Sequence, residues 1–201
     1  SAIGHGEAYA WMVSTDVLNL VKSTGARAAL TMQVMEEAKH FVVLRELIRA
    51  FDVPIPRQSV WEYILMERVH KSDGLEKFFG MNVLIEGIAL SIFGVMGILP
   101  GLEILKKFHL DESRHTALPT NYFREFPLTT WQQRNPLRKV RRLSLILPTL
   151  ALIPALEEDF GELGIDVFDF GGSVIRKVST LAERNGFYLP IPKEQLFPLL
   201  D

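Results

Sequence analysis

Apolar side chains recur along this chain at intervals of three and four residues, the period of an amphipathic helix. Gly and Pro residues fall mainly between these periodic stretches, notably at Ser23–Gly25 and Gly97–Gly101, where they predict turns. The sequence therefore predicts an all-α fold whose core is a four-helix bundle with short turns inside each helix pair. The four core helices are predicted at about residues 2–22, 26–51, 75–96 and 102–117.

Further helices are predicted outside this core. Ser59 and Glu62 have the spacing of a capping box, which opens a short connector helix between the two halves. Asn135 and Pro136 match an N-cap and a first helical position, so a helical extension is predicted over about residues 131–201.

The length of 201 residues, of which 48% are hydrophobic, predicts one domain spanning residues 1–201. The basic and apolar stretch over residues 138–156 is expected to pack in the core or at a homodimer face, with its basic residues in solvent. Its apolar part, residues 143–156, is too short to cross a bilayer, and no transmembrane span is predicted.

The net charge of -2 gives no electrostatic case for a nucleic-acid partner. The chain has no cysteine, which excludes disulfides and thiolate ligands and fits a reducing compartment. No N-terminal signal pattern is present, so we expect a cytoplasmic protein. The chain begins without a methionine, and a native start upstream of Ser1 is expected.

Two Glu-x-x-His units are the candidate chemistry of this chain. They are Glu37 with His40 and Glu112 with His115, and each unit lies on an apolar helix stripe. Residues three apart share one face of a helix, so each unit can direct a carboxylate and an imidazole to the same point.

A lone glutamate precedes each unit, Glu7 before Glu37 and Glu86 before Glu112. The midpoints of these two pairs fall at residues 22 and 99, beside or within the predicted turns. Antiparallel helices would therefore bring each lone glutamate to the height of its unit. Four carboxylates and two imidazoles inside a helix bundle make a site for two transition-metal ions.

The alternative for one such unit is a pair of surface residues. In that interpretation Glu37 pairs with Lys39, and Glu112 pairs with Arg114, at the solvent edge of each helix. A third unit, Glu67-x-x-His70, points away from the apolar stripe of its helix and is predicted to be a chance match. An ionised glutamate on an apolar face needs a partner or a cation, and two divalent ions balance four carboxylates.

These residues resemble the ligands of the ferritin-like di-metal carboxylate proteins, in particular the oxygen-activating branch that includes the ribonucleotide reductase small subunit and the N-oxygenases. The resemblance covers about residues 1 to 120. It implies two metal ions per chain, Fe/Fe or alternatively Mn/Fe, with dioxygen as co-substrate. It also implies one histidine per ion, two bridging carboxylates that are central to catalysis and two terminal ones. The bridging residues would be Glu37 and Glu112, the terminal ones Glu7 and Glu86, and the histidines His40 and His115.

Two positions depart from named members of this branch. Leu44 replaces the tyrosine that radical-storing reductase subunits usually carry one turn beyond the first histidine. Phe108 stands where N-oxygenases carry an extra histidine, and His109 is one residue away from that position. By resemblance, Asp111 is a candidate for orienting a histidine ligand.

The favoured hypothesis is a di-metal oxidase or oxygenase that acts on a small apolar or aromatic substrate with a separate electron donor. The alternatives are a ferroxidase or peroxide scavenger, a divergent ribonucleotide reductase small subunit, and a helical interaction module without metal.

Overall fold

The computed structural model describes residues 2–55 and 57–196, and this part of the chain is helical with no strand, which confirms the all-α prediction. Residues 197–201 of the predicted extension lie outside the described residues. The helices are α1 (Ala2–Leu18), α2 (Thr24–Ala50), α3 (Val60–Lys71), α4 (Gly74–Phe79), α5 (Glu86–Met96), α6 (Leu105–Glu125), α7 (Thr130–Arg134), α8 (Pro136–Leu152), α9 (Glu157–Glu162), α10 (Val167–Arg184) and α11 (Lys193–Leu196).

Two helix pairs position the candidate site. Helix α1 packs along α2, α5 packs along α6, and the pairs meet where α2 contacts α6. The capping box of Ser59 and Glu62 is present and opens α3, as predicted. Helix α8 packs against α3, and α10 packs against α5, so the C-terminal helices cover both the connector and the second pair.

The end of α1 corrects the sequence prediction. The helix stops at Leu18 rather than near residue 22, and Gly25 lies inside α2 instead of capping α1. Asn19 ends α1, since its N–H bonds the carbonyl of Asp16 and its amide donates to the carbonyl of Thr15. The hydroxyl of Ser23 then accepts the N–H of Ala26 as the N-cap of α2.

Helix α6 begins at Leu105 and runs to Glu125, beyond the end predicted before Pro119. A proline inside a helix removes one N–H and leaves the carbonyl four residues earlier without its usual donor. That carbonyl belongs to His115, and the side chain of Asn82 donates to it at 3.4 Å. Pro119 is therefore accommodated because a neighbouring helix replaces the missing donor.

The third predicted core helix has an irregular middle. Residues Gly80–Ile85 form a π-helical segment between α4 and α5, and it ends immediately before Glu86. The continuous run Gly74–Met96 is long and apolar enough to cross a membrane by those two criteria, and it is the one such helix in the described part of the chain. In this fold 67% of its apolar window is buried.

The basic segment near residue 140 is largely structural. Arg142 is fully buried, contrary to the prediction of solvated basic residues. It donates to the carbonyls of Gln132 and Gln133 at the end of α7, while Arg138 pairs with buried Glu76 at 2.6 Å. Asn135 caps α8, and Pro136 is its first residue, as predicted.

Candidate metal centre

The structure brings all six predicted ligand residues together. Each is at most 3% exposed, although together they carry four carboxylates and two imidazoles. Their ligand atoms form two groups that share two glutamates, and within each group the atoms lie within 4.8 Å of one another. One group is Glu7, Glu37, His40 and Glu112, and the other is Glu37, Glu86, Glu112 and His115.

The Nδ1 atom of His40 faces three carboxylates. It lies 3.3 Å from Oε2 of Glu7, 3.7 Å from Oε2 of Glu37 and 3.2 Å from Oε1 of Glu112. Three oxygens and one imidazole nitrogen directed to one point can hold a transition-metal ion.

The Nδ1 atom of His115 also faces three carboxylates. It faces the oxygens of Glu37 and Glu112 that do not face His40. It lies 3.0 Å from Oε1 of Glu37, 3.3 Å from Oε2 of Glu112 and 3.4 Å from Oε2 of Glu86. Glu37 and Glu112 thus each direct one oxygen towards each histidine. Two carboxylates divided in this way between two imidazoles could each contribute one oxygen to either group of ligands.

A second layer of acids orients the two histidines. The Nε2 of His40 lies 3.0 Å from Oδ2 of Asp111, and the Nε2 of His115 lies 2.8 Å from Oε2 of Glu36. Hydrogen bonds of this kind fix the tautomer and leave the opposite ring nitrogen free for a metal. Arg114 donates to both acids, so one guanidinium links the two halves of the site.

Sequence reasoning named Asp111 but missed Glu36. Both acids directly precede the glutamate of a Glu-x-x-His unit, and each contacts the histidine of the other unit. The repeated acid was therefore a usable signal in the sequence. Lys39 and Arg114 pair with Asp111 and Glu36 rather than with the bridging glutamates, so the surface-pair alternative does not describe these units.

An amide network that the sequence did not predict holds Glu86. The side-chain amide of Gln33 donates to Oε1 of Glu86 and to Oγ of Ser14. Asn82, in the π-helical segment, donates to Oε1 of Gln33 at 2.8 Å and to the backbone carbonyl of His115. The network therefore links Glu86 to His115, the two candidate ligands of the second helix pair.

Glu7 and Glu86, the lone glutamates of the two helix pairs, have raised pKa values. Burial, followed by the charge of Glu37, holds the pKa of Glu7 well above its usual range. Burial, followed by the charge of Glu112, does the same for the pKa of Glu86. Burial therefore favours the protonated form of both carboxyls.

The pKa values of Glu37 and Glu112 are lowered, whereas those of the two histidines are raised. Burial acts to raise the pKa of Glu37 and Glu112, but close contacts with neighbouring polar groups, including His115 and His40, lower both on balance. Burial opposes protonation of His40, yet the Glu112, Glu37 and Glu7 carboxylates raise its pKa to about 12, and the pKa of His115 is also raised. The carboxylates of this site thus favour the charged form of both histidines.

The donor set fits two divalent cations. Several buried atoms of the site lack a hydrogen-bond partner within the described chain, including both carboxylate oxygens of Glu37, Oε1 of Glu112, Oε2 of Glu7 and Nδ1 of His40. Buried polar atoms without partners are costly, and these five converge on the same two points. Two divalent ions would balance the charge of the four carboxylates.

An apolar cavity adjoins the site on one side. Its volume is about 80 Å³ for the centres of water-sized molecules, several times what one water requires. Glu7, Glu37 and Glu86 form its inner end, and apolar side chains of α3, α5, α8 and α10 form most of the remaining wall. The C-terminal helices α8 and α10 therefore form part of the wall of a cavity beside the candidate centre.

The remaining sequence predictions have clear outcomes. Glu67 pairs with Lys71 at 2.6 Å outside the site, as predicted for a chance match. Phe108 stacks on the His40 ring at 4.0 Å between centroids, and Leu44 packs with it in a small apolar cluster. His109 instead bonds the carbonyl of Leu90 at 2.9 Å.

Comparisons of the chain with protein-family models, with curated proteins and with solved structures found no match. What can be said of this site therefore comes from its own geometry: buried carboxylate and imidazole groups that could hold metal ions.

Proposed function

We propose that this chain is a di-metal oxidase or oxygenase of the ferritin-like carboxylate class, which uses dioxygen to oxidise a small apolar or aromatic molecule. The division of Glu37 and Glu112 between the two histidines carries the proposal. The apolar cavity at the inner edge of the same site supports an organic substrate.

The roles of the residues follow from their distances. Glu7 and His40 would hold one ion, Glu86 and His115 would hold the other, and two glutamates would bridge them. Iron at both positions, or manganese with iron, suits a donor set of carboxylates and imidazoles. Such ions, when bound, supply the redox chemistry by which dioxygen is reduced and the substrate oxidised. The bridging glutamates would be Glu37 and Glu112.

The surrounding residues would bind and orient rather than react. Asp111 and Glu36 keep the two imidazoles in fixed orientations. The apolar wall excludes water and holds the substrate beside Glu7 and Glu86. In a monooxygenase reaction, R–H, dioxygen, two electrons and two protons give R–OH and water, so an external electron donor is part of the proposal.

Anaerobic titration with ferrous iron tests the metal site. We expect two ions per chain in the parent protein and loss of both in Glu37→Ala, because that residue faces both histidines. Glu67→Ala is the matched control, since it removes the glutamate of a Glu-x-x-His unit outside the site, and its iron content should equal that of the parent. Fewer than one ion per parent chain would contradict the proposal.

Exposure of the iron-loaded protein to oxygen separates the related functions. An oxidase or oxygenase should turn over small apolar molecules with a reductant while its iron content stays at two per chain. An iron-storage protein would instead accumulate iron beyond that number and elute from a sizing column as a cage. A stable radical signal without substrate turnover would favour a reductase-like subunit.

A further inference from the structure

We infer that the cavity beside the metal centre selects a neutral, mainly apolar molecule that makes one hydrogen bond to Thr149. The inference deepens the proposed function, since it takes this cavity as the substrate site. Thr149 lies on α8, lines the cavity and is 6% exposed. Its Oγ1 is buried and has no hydrogen-bond partner among the described residues.

A partnerless hydroxyl is unusual for a threonine inside a helix, because such hydroxyls commonly bond a carbonyl in the preceding turn. Four other helical threonines of this chain do so. Thr15, Thr31, Thr116 and Thr180 donate to carbonyls three or four residues earlier, at 2.8–3.1 Å. Among the described residues, Thr149 is the helical threonine whose hydroxyl is buried without such a bond, and it lines the cavity. A buried hydroxyl left unbonded costs free energy that a ligand can recover.

The remaining charged groups of the wall favour a neutral occupant. No Lys, Arg or His belongs to the described lining, so an anion finds no side-chain partner of opposite charge there. Three lining carboxylates belong to the metal site, where ions balance them. The fourth, Glu62, already contacts His5 at 3.2 Å and caps α3 by accepting the N–H of Ser59. A cation would therefore also find no unpaired carboxylate.

The rest of the cavity is apolar. Side chains such as Leu65, Ile92, Leu152 and Val174 come from four different helices, so most of a bound molecule would contact hydrocarbon. Thr149 offers one hydroxyl that can donate or accept. These features fit an alcohol, ketone or ether of modest size better than an acid, an amine or a polyol.

Calorimetric binding of two probes of similar shape tests the inference on the full chain, both as isolated and after metal loading. Benzyl alcohol carries the hydrogen-bonding group, and ethylbenzene lacks it. We expect Thr149→Val to weaken binding of benzyl alcohol about fivefold and to leave that of ethylbenzene unchanged or tighter. Thr149→Ser should retain the affinity for benzyl alcohol, because it retains the hydroxyl.

Thr180→Val is the matched control, since the Thr180 hydroxyl is bonded within its own helix on the exposed surface. It should change neither affinity. Benzoate and benzylammonium should bind at least about tenfold more weakly than benzyl alcohol. Equal effects of Thr149→Val on both neutral probes, or tighter binding of either ion, would overturn the inference.

Metal content measured on the same samples keeps the two proposals separate. Two ions per chain without any Thr149-dependent preference would refute the cavity inference alone. Thr149-dependent binding of benzyl alcohol by a chain that takes up no metal would support the cavity inference and contradict the di-metal function.

Discussion

The two helix pairs present the same ligands in the same order but hold the lone glutamate differently. In the first pair, Glu7 lies within the regular helix α1, and its Oε2 has no hydrogen-bond partner among the described residues. In the second, Glu86 follows a π-helical segment, and its Oε1 accepts a hydrogen bond from the buried amide of Gln33.

The difference indicates a division of roles between the two terminal carboxylates. Gln33 is itself held by Ser14 and Asn82, so the orientation of Glu86 is determined by three buried groups. Glu7 faces the same apolar cavity with fewer restraints. We therefore expect Glu86 to be the fixed ligand and Glu7 to be the one that can change its coordination when a substrate or oxygen arrives.

Among the variants that compare the two helix pairs, the largest effect should come from removing Glu7 or Glu86. Glu7→Ala and Glu86→Ala should each lower the affinity for one of the two ions by more than about 100-fold, above the 10–100-fold typical of outer groups. Metal analysis should then give one tightly bound ion per chain in both variants.

Stability should separate these two variants. Glu86→Ala leaves the Gln33 amide without one of its two acceptors and should lower the free energy of unfolding of the metal-free chain by about 1–3 kcal/mol more than Glu7→Ala does. Chemical denaturation measures this difference. Equal losses in the two variants would show that the amide network does not distinguish the halves.

The acids behind the histidines should give the next largest effect. Asp111→Asn and Glu36→Gln each weaken the hydrogen bond to one imidazole, so each should reduce the affinity for one ion about 10–100-fold. Stepwise titration with Co²⁺ follows the two binding events separately. Because Asp111 serves His40 and Glu36 serves His115, the double variant should weaken both events. A loss confined to the same ion in both single variants would contradict the crossed pairing.

Most of the candidate site could be predicted from the sequence, because its ligands obey helix periodicity. Two units on apolar stripes, each with a lone glutamate, were enough to name six residues that the fold brings together. Glu36 could also have been found, since an acid precedes the glutamate of both units. The third unit, Glu67 and His70, shows why spacing alone was insufficient, as only its position on a polar face excluded it.

The amide network could not be predicted in the same way. A π-helical segment changes the residues that share a face, so Asn82 reaches Gln33 from a register that a regular helix does not provide. The helix ends were missed for local reasons. The side chain of Asn19 ends α1 early, whereas Pro119 fails to end α6 because Asn82 supplies a donor from another helix.

The affinity for metal ions should depend on pH, because the buried carboxyls and imidazoles release protons when they bind a metal. The raised pKa values of Glu7, Glu86, His40 and His115 mean that metal binding should displace protons, so apparent affinity should rise with pH. Calorimetry in buffers of different ionisation enthalpy counts these protons. Metal binding without proton release, or an affinity that falls as pH rises, would contradict the prediction.

The same shifts have a consequence for stability, and its sign follows from linkage. Groups with raised pKa values stabilise the metal-free fold below their unfolded-state values and lose that contribution as pH rises through the folded-state values. For His40 the window runs from 6.5 to about 12, and for the terminal glutamates it begins at 4.5. The melting temperature of the metal-free chain should therefore fall from pH 5 to pH 9, while the gain on metal addition grows.

The smallest effect should come from Pro119→Ala, which tests the link between the π-helical segment and His115. Alanine restores the N–H that the His115 carbonyl lacks, so α6 gains a helical hydrogen bond and should become more stable. The carbonyl then depends less on Asn82, whose amide also holds Gln33. We expect a higher melting temperature with an affinity for the His115-side ion that changes less than about threefold. In Asn82→Ala, by contrast, both restraints are lost, and that affinity should fall about tenfold while the His40-side ion is unaffected.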